Sequence, residues 1–289
     1  MRARPAYTVP LPHKSPLQLG ARTLVMGIIN VTPDSFADGG LHFEVEKAIA
    51  AGVQMAADGA DIVDVGGEST RPGADPLPAD EEMRRVLPVV EGLAARIAVP
   101  ISIDTYKAAV AREAVARGAE IINDISGLRY EPALGRVAAE TGAALVLMHT
   151  RGRSREMYDL AVYQDAPGEV ADELRKAIAC AEETGVARDA IIVDPGLGFA
   201  KRAEHSYSVL AGLDRLAELD RPILVGPSRK SFLKRALGDR DPAEREWGTA
   251  AAVAASILLG AHIVRVHDVP SMVDVVRVAD LIRSGGRQP

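Results

Sequence analysis

A (β/α)8 barrel, an α/β fold, is what this sequence predicts, on three observations. Eight short runs rich in Val, Ile and Leu recur along the 289 residues, and their near-continuous apolar character suits strands of a parallel sheet covered on both faces. Stretches with helical periodicity separate them. Each run also delivers a polar or charged group near its C-terminal end. Such strict strand–helix alternation argues for a closed barrel. An open doubly wound sheet would need a switch point in strand order that is not visible here. Length admits two domains at ~150 residues each, but barrels of ~250 residues are single domains.

The elements follow in order. Residues before about Arg22 are Pro-rich and are expected to form a cap or short hairpin, an N-terminal extension over 1–23 ahead of one barrel domain over 24–289. The first strand, LVMGIIN, opens into the long polar loop VTPDSFADGG, and VEKAIAAGVQMAADGA reads as the helix behind it. DIVDVGG leads into GESTRPGA and the helix ADEEMRRVLPVVEGLAARI. ISIDTY is followed by the helical YKAAVAREAVARGA, then IINDIS and ALVLMH. The stretch TRGRSREM after the fifth strand has no role that the sequence assigns. PGEVADELRKAIACAEETG, IIVDPG, PILVGPS and HIVRVHD complete the pattern. GDRDPAEREWGTA reads as a loop before the Ala-rich helix TAAAVAASILLGA, and Trp247 is expected to pack against the last helices.

Composition narrows the function. A net charge of −6 leaves no global attraction to nucleic acid or an anionic membrane. No run of ~18 apolar residues suggests a membrane span. The N-terminal stretch lacks the apolar core of a signal peptide, and the lone Cys180 fits a reducing cytosol. A cytoplasmic protein acting on small molecules is the expectation. CxxC pairs, HExxH, a Walker loop and a complete GxGxxG after a strand are all missing from the sequence, which weakens redox, zinc-hydrolase and nucleotide-triphosphate readings.

The strand ends carry the chemistry, since barrel active sites lie at the C-terminal rim. In turn they present Asn30; Glu68, Ser69, Thr70 and Arg71; Asp104; Asn123 and Asp124; His149; Asp194; Ser228, Arg229 and Lys230; and Arg265 with His267. A single Asp after a strand is often only a helix cap; eight polar strand ends together are not all caps. Arg265 and His267 share one strand face, with Val266 on the other. Asp104, Asn123, Asp194 and Lys230 offer acceptors and donors for a flat, nitrogen-rich heterocycle. Asn30, Thr70, Arg71, Arg265 and His267 suit a phosphate group, and the Asn30 side-chain oxygen suits Mg2+. Ser228 is expected to cap a helix starting at Arg229, with Ser231 in an anion-binding first turn.

The blocks GIINVTPDSFADGG, DVGGESTRPGA, SIDTYK, INDISG, DPGLGFAK, VGPSRKSF and VRVHDV resemble the signature blocks of the dihydropteroate synthase family, over essentially the whole chain after the N-terminal extension. The resemblance implies a homodimeric (β/α)8 barrel of folate biosynthesis and a sulfonamide target. It implies joining of 6-hydroxymethyl-7,8-dihydropterin diphosphate to 4-aminobenzoate with release of pyrophosphate. It places the pterin at Asp104, Asn123, Met148, Asp194, Phe199 and Lys230. The diphosphate falls to Thr70, Arg71, Arg265 and His267, with Mg2+ on Asn30. The 4-aminobenzoate falls to Phe36, Thr70, Pro72, Lys230 and Ser231. Arg71, Lys230, Arg265 and His267 carry the catalytic roles, and the loops around Phe36 and Arg71 act as flaps. Two related possibilities are a methyltetrahydrofolate–corrinoid methyltransferase, which needs no diphosphate cluster, and a non-catalytic pterin-binding paralogue, which would be expected to lose Arg265, His267 or Lys230. GFAK stands where the family more often has GFGK, and Pro227 should stiffen the seventh turn. His13, His42, His205 and His262 are expected to be structural or solvated, and His149 is left open.

Overall fold

The computed structural model describes residues 4–31, 41–69, 73 and 75–287. A hairpin of β1 (Tyr7–Val9) and β2 (Leu17–Leu19) comes first. Then follow β3 (Leu24–Asn30), α1 (Leu41–Ala57), β4 (Ile62–Gly66), α2 (Ala79–Ala94), β5 (Ile101–Asp104), α3 (Ala108–Ala116), β6 (Ile121–Asp124), α4 (Ala133–Thr141), β7 (Ala144–Met148) and α5 (Ala166–Glu183). The last part runs β8 (Ile191–Asp194), α6 (Ala203–Ala211), α7 (Asp214–Ala217), β9 (Leu224–Val225), α8 (Lys234–Leu237), α9 (Glu246–Leu258), β10 (Ile263–Val266) and α10 (Val269–Arg283).

The eight strands β3 to β10 pair in parallel in the order β8-β7-β6-β5-β4-β3-β10-β9. A parallel bridge between Val193 and Ile223 joins β8 to the approach of β9 and closes the ring. The (β/α)8 barrel expected from strand–helix alternation is the observed fold. Alternation of side chains along each strand sorts the residues. Val63, Val65, Ile101, Ile103, Leu145, Leu147, Ile191 and Val193 point outward into the helix layer. Met26, Ile62, Ile121, Val146, Ile192, Leu224 and Ile263 fill the interior at one end, where Val9, Leu17 and Leu19 of the hairpin join them. That end is sealed with hydrocarbon, and the polar residues are left to the other.

A buried polar cluster ties the N-terminus to that sealed end. The Arg4 guanidinium donates to Gly20 O at 3.1 Å, Thr23 Oγ1 at 2.6 Å and Ala261 O at 2.5 Å, and pairs with Asp280 at 3.3 Å. Asp280 in turn accepts the Thr23 N–H at 2.6 Å and the Thr23 hydroxyl at 2.9 Å. His262 is structural, as expected: its Nδ1 accepts the Ile223 N–H at 3.1 Å and its Nε2 faces Pro5 O at 3.1 Å. Burial holds its pKa down at about 4.

Trp247 departs from expectation: it is 84% exposed and packs on no core. The stretch read as a loop holds a 3-10 turn over Pro242–Arg245 and the first turn of α9. The buried Arg245 and Thr249 occupy the inner face there. Arg245 donates to Arg229 O and Arg240 O, and Thr249 Oγ1 accepts the Arg229 N–H. Trp247 lies two residues from each, on the opposite side of a helix of 3.6 residues per turn.

Asp280→Ala should strand the buried Arg4 charge and cost about 3–5 kcal/mol of stability in urea unfolding. A loss below about 1 kcal/mol would show that the cluster does not anchor the sealed end.

Candidate active site

The open end of the barrel holds a cleft lined by Asp104, Asn123, Met148, Asp194, Phe199, Lys230 and Arg265, with Ile125 and Leu197. All six residues expected around a pterin thus meet at one place, together with Arg265. Register explains the convergence, because Gly66, Asp104 and Asn123 are aligned across β4, β5 and β6, and Met148 is aligned with Asp194 across β7 and β8. Asn30 is exposed at the end of β3, aligned with Gly66. Phe36, Thr70, Arg71 and Pro72 lie outside the described residues.

Charge is matched inside the cleft by a residue that sequence reasoning missed. Asp64, fully buried in β4, accepts from Arg265 Nε at 2.6 Å and from Asn123 Nδ2 at 3.2 Å. Arg265 Nη2 also donates to Asp104 Oδ2 at 2.7 Å. The signal was present: Asp64 stands between Val63 and Val65, and a period of two turns it inward with Ile62 and Gly66. A carboxylate inside a barrel demands a cation.

Burial and charge set the protonation of the cleft. Burial pushes the Asp104 carboxyl up to about 7, against the pull of Arg265 and with the help of Asp64. Burial likewise raises Asp194, although its Oδ1 accepts the Gly196 N–H at 2.7 Å. Burial and the neighbouring Arg265 lower the Lys230 ammonium to about 8. Burial opposes the Arg265 charge, but Asp64 and Asp104 more than offset it. Lys230 Nζ sits 3.9 Å from the centre of the Phe199 ring, a cation–π contact. The result is a cleft that sets the carboxyls of Asp104 and Asp194 and the cations of Lys230 and Arg265 beside Met148 and Phe199.

The seventh strand end differs from expectation. Ser228 caps no helix, because Arg229 turns left-handed with φ 59°. The Ser228 hydroxyl lies 2.9 Å from His267 Nδ1 and accepts the His267 N–H at 3.3 Å. Ser231, exposed, starts only a three-residue 3-10 turn, Ser231–Leu233. His149 is not in the cleft; it is buried behind it, with Nδ1 2.8 Å from Lys201 Nζ and Nε2 3.2 Å from Glu173. Burial and the Lys201 charge hold its pKa at about 3, so it is neutral. Glu68, at the start of the loop after β4, accepts from the Tyr106 hydroxyl at 2.9 Å, from Lys107, and from the Leu77 N–H at 3.1 Å. It therefore pinches the base of the segment that contains Thr70 and Arg71.

Asp104 gives this site a pH signature. Its folded pKa of about 7 lies above the unfolded value of 3.8. Its stabilising contribution is therefore complete below the unfolded value and is lost as pH rises through about 7. Asp104→Asn, which cannot titrate, should gain about 2–4 kcal/mol relative to the parent between pH 4 and pH 8 in denaturant titrations. A flat difference across that range would show that the carboxyl is not raised.

The chain is similar to known proteins over nearly its whole length. The pterin binding enzyme family matches residues 26–267. A dihydropteroate synthase from Synechocystis sp. is 46% identical over 277 residues, covering 96% of each chain. The structure of a Xanthomonas albilineans dihydropteroate synthase with 4-aminobenzoic acid superposes with a TM-score of 0.90 at 42% identity, covering 97% of this chain and 99% of that one. A Yersinia pestis dihydropteroate synthase in complex with a sulfonamide drug superposes with a TM-score of 0.88 at 40% identity, covering 96% and 99%. This chain belongs to the pterin binding enzyme family and, within it, to the dihydropteroate synthases.

Proposed function

We propose that the chain joins (7,8-dihydropterin-6-yl)methyl diphosphate to 4-aminobenzoate, giving 7,8-dihydropteroate and pyrophosphate for folate biosynthesis. The observation that carries this reading is the cleft in which Asp104, Asn123, Asp194, Lys230 and Arg265 converge with Met148 and Phe199. A transferase that releases pyrophosphate needs such pterin acceptors beside cations. The corrinoid methyltransferase has no use for the cations, and a non-catalytic paralogue would have no need to keep Arg265, His267 and Lys230.

In this reading Asp194 accepts the paired N–H donors of the pterin ring, and Asn123 and Asp104 hold its far edge. Met148 and Phe199 sandwich its plane. Arg265 and His267, with Arg71 and Thr70, hold the diphosphate. The C–O bond at the pterin methylene breaks, and pyrophosphate leaves with the electron pair. The electron-rich dihydropterin delocalises the cation, and the neutral amine nitrogen of 4-aminobenzoate then forms the new C–N bond and gives up a proton. Phe36 and Pro72 pack on the aminobenzoate ring, with Lys230 and Ser231 near its carboxylate. Catalysis rests on placement and on charge stabilisation of the leaving group.

Mg2+ fits the donors present. Among the described residues no group of three or more His, Cys, Asp or Glu could hold a metal. An ion would therefore take oxygens from Asn30, the diphosphate and water, the hard-donor set that Mg2+ prefers. When bound, it would neutralise charge on the departing pyrophosphate. The described residues contain no helix long and apolar enough to cross a membrane; a cytoplasmic location is part of the synthase reading.

Purified chain with Mg2+, the dihydropterin diphosphate and labelled 4-aminobenzoate is expected to yield labelled dihydropteroate and one pyrophosphate per product. Asp194→Ala should lower kcat/KM by at least about a hundredfold, as expected on losing a charge-assisted pair of hydrogen bonds. Wild-type protein that binds a pterin tightly without turnover would overturn the synthase reading, and normal turnover by Asp194→Ala would overturn the pocket assignment.

A homodimer is part of the same reading. The supporting feature is the exposed apolar face of α9 and α10, with Leu259 at its end and Val278 and Ile282 along it. Ile282→Glu should convert a dimer to a monomer in light scattering. A wild-type monomer at working concentration would rule the dimer out.

A further inference from the structure

The segment after β7 has no part in the reaction described above. It nevertheless meets the cleft from behind, through the loop Pro195–Ala200 that carries Leu197 and Phe199. Three residues of that loop have positive φ: Gly196 at 64°, Gly198 at 80° and the non-glycine Ala200 at 48°. A left-handed alanine is unfavourable by about 1–2 kcal/mol, so this shape needs support from outside. Gly196 shows how closely the support approaches: a Cβ there would lie 2.0 Å from His149 O, so no side chain fits.

Four carbonyls of the loop are taken by side-chain donors. Lys201 Nζ donates to Gly196 O at 3.1 Å and Phe199 O at 3.0 Å. The Tyr158 hydroxyl donates to Gly198 O at 3.3 Å, and the Tyr163 hydroxyl to Ala200 O at 3.0 Å. Lys201 is 1% exposed and is also in contact with His149 Nδ1 at 2.8 Å. His149 in turn leans on Glu173, which Arg151 grips at 2.9 Å while its guanidinium stacks 4.0 Å from the Tyr163 ring centre. These groups form one continuous brace with the cleft on its far side.

We infer that Lys201, Tyr158 and Tyr163 are positioning residues that hold the Pro195–Ala200 loop in the shape that presents Phe199 and Asp194 to the pterin. None of the three lines the cleft; they act through the backbone of the residues that do. Asp194 is fixed by the same structure, since its Oδ1 accepts the Gly196 N–H and its carbonyl accepts the His149 N–H at 2.9 Å. The inference takes its ligand from the synthase reading, but a binding readout tests it without turnover.

The test compares the double variant Tyr158→Phe/Tyr163→Phe and Lys201→Met with wild type. Pterin affinity is measured by calorimetry with 6-hydroxymethylpterin, alongside thermal unfolding. Arg4→Met, at the sealed end, is the control that loses stability far from the cleft. The double variant should bind the pterin about five- to tenfold more weakly, from two lost hydrogen bonds. Lys201→Met should bind it more weakly still, or fail to fold, in which case the double variant decides. Arg4→Met should melt lower yet bind within twofold of wild type. Affinity of the double variant within twofold of wild type would overturn the inference, as would equal loss of affinity in Arg4→Met. Wild-type protein that binds pterin but does not form dihydropteroate would defeat the synthase reading and leave this comparison intact.

Discussion

A guanidinium inside a barrel has to be matched on every side. Arg265 meets that demand by donating to Asp64 and Asp104 at 2.6 and 2.7 Å, and the rest of the open end is organised around this pairing. Removing water from an ion is costly, and a buried pair survives only with good geometry and further hydrogen bonds. Asp64 supplies that geometry from within β4, and Asn123 adds a hydrogen bond to it. Burial draws Asp104 toward neutrality against the pull of Arg265, and burial with the nearby Arg265 charge draws Lys230 toward losing its proton. A site that must accept N–H donors and hold a departing anion benefits from groups poised in this way.

The two ends of the barrel divide the work. At the sealed end, hydrocarbon from seven strands meets the hairpin, and the Arg4–Thr23–Asp280 cluster pins the N-terminus to α10. The open end carries buried charge, left-handed backbone at Ala200 and Arg229, and donors aimed at carbonyls that have no strand to pair with. Its shape depends on side chains reaching in from neighbouring loops. Glu68 gathers Tyr106, Lys107 and Leu77 at one side of the mouth, and Lys201 with Tyr163 gathers the loop after β8 at the other. The segment after β7 touches both sides, because Ser154 O accepts the Gly73 N–H at 3.2 Å and Arg155 pairs with Asp75.

Much of this was legible from residues alone. The inward set Asp104, Asn123, Asp194 and Arg265 followed from strand ends and a period of two, and all four line the cleft. Asp64 was passed over because it lies inside a strand, where attention to strand ends does not reach. Ser228 was misread because the conformation of Arg229 is decided by Thr249, Arg245 and Glu246, which approach from a distant helix. Trp247 was misread because an aromatic residue on a helix has no fixed address until the helix is packed.

By itself the sequence determined the barrel, the direction in which its strands deliver chemistry, and the set Asp104, Asn123, Met148, Asp194, Phe199, Lys230 and Arg265 that meets in the cleft. Those properties depend on periodicity and on residue type, which are local. Only the tertiary structure decided which charges neutralise each other, which histidine meets a serine and which a lysine, and what supports the loop after β8. These are contacts between residues far apart in the chain, such as Asp64 with Arg265, 201 positions apart, and Tyr163 with Ala200, 37 apart. Their energies depend on burial and on distances of a few ångströms, and neither is written in the order of residues along a chain.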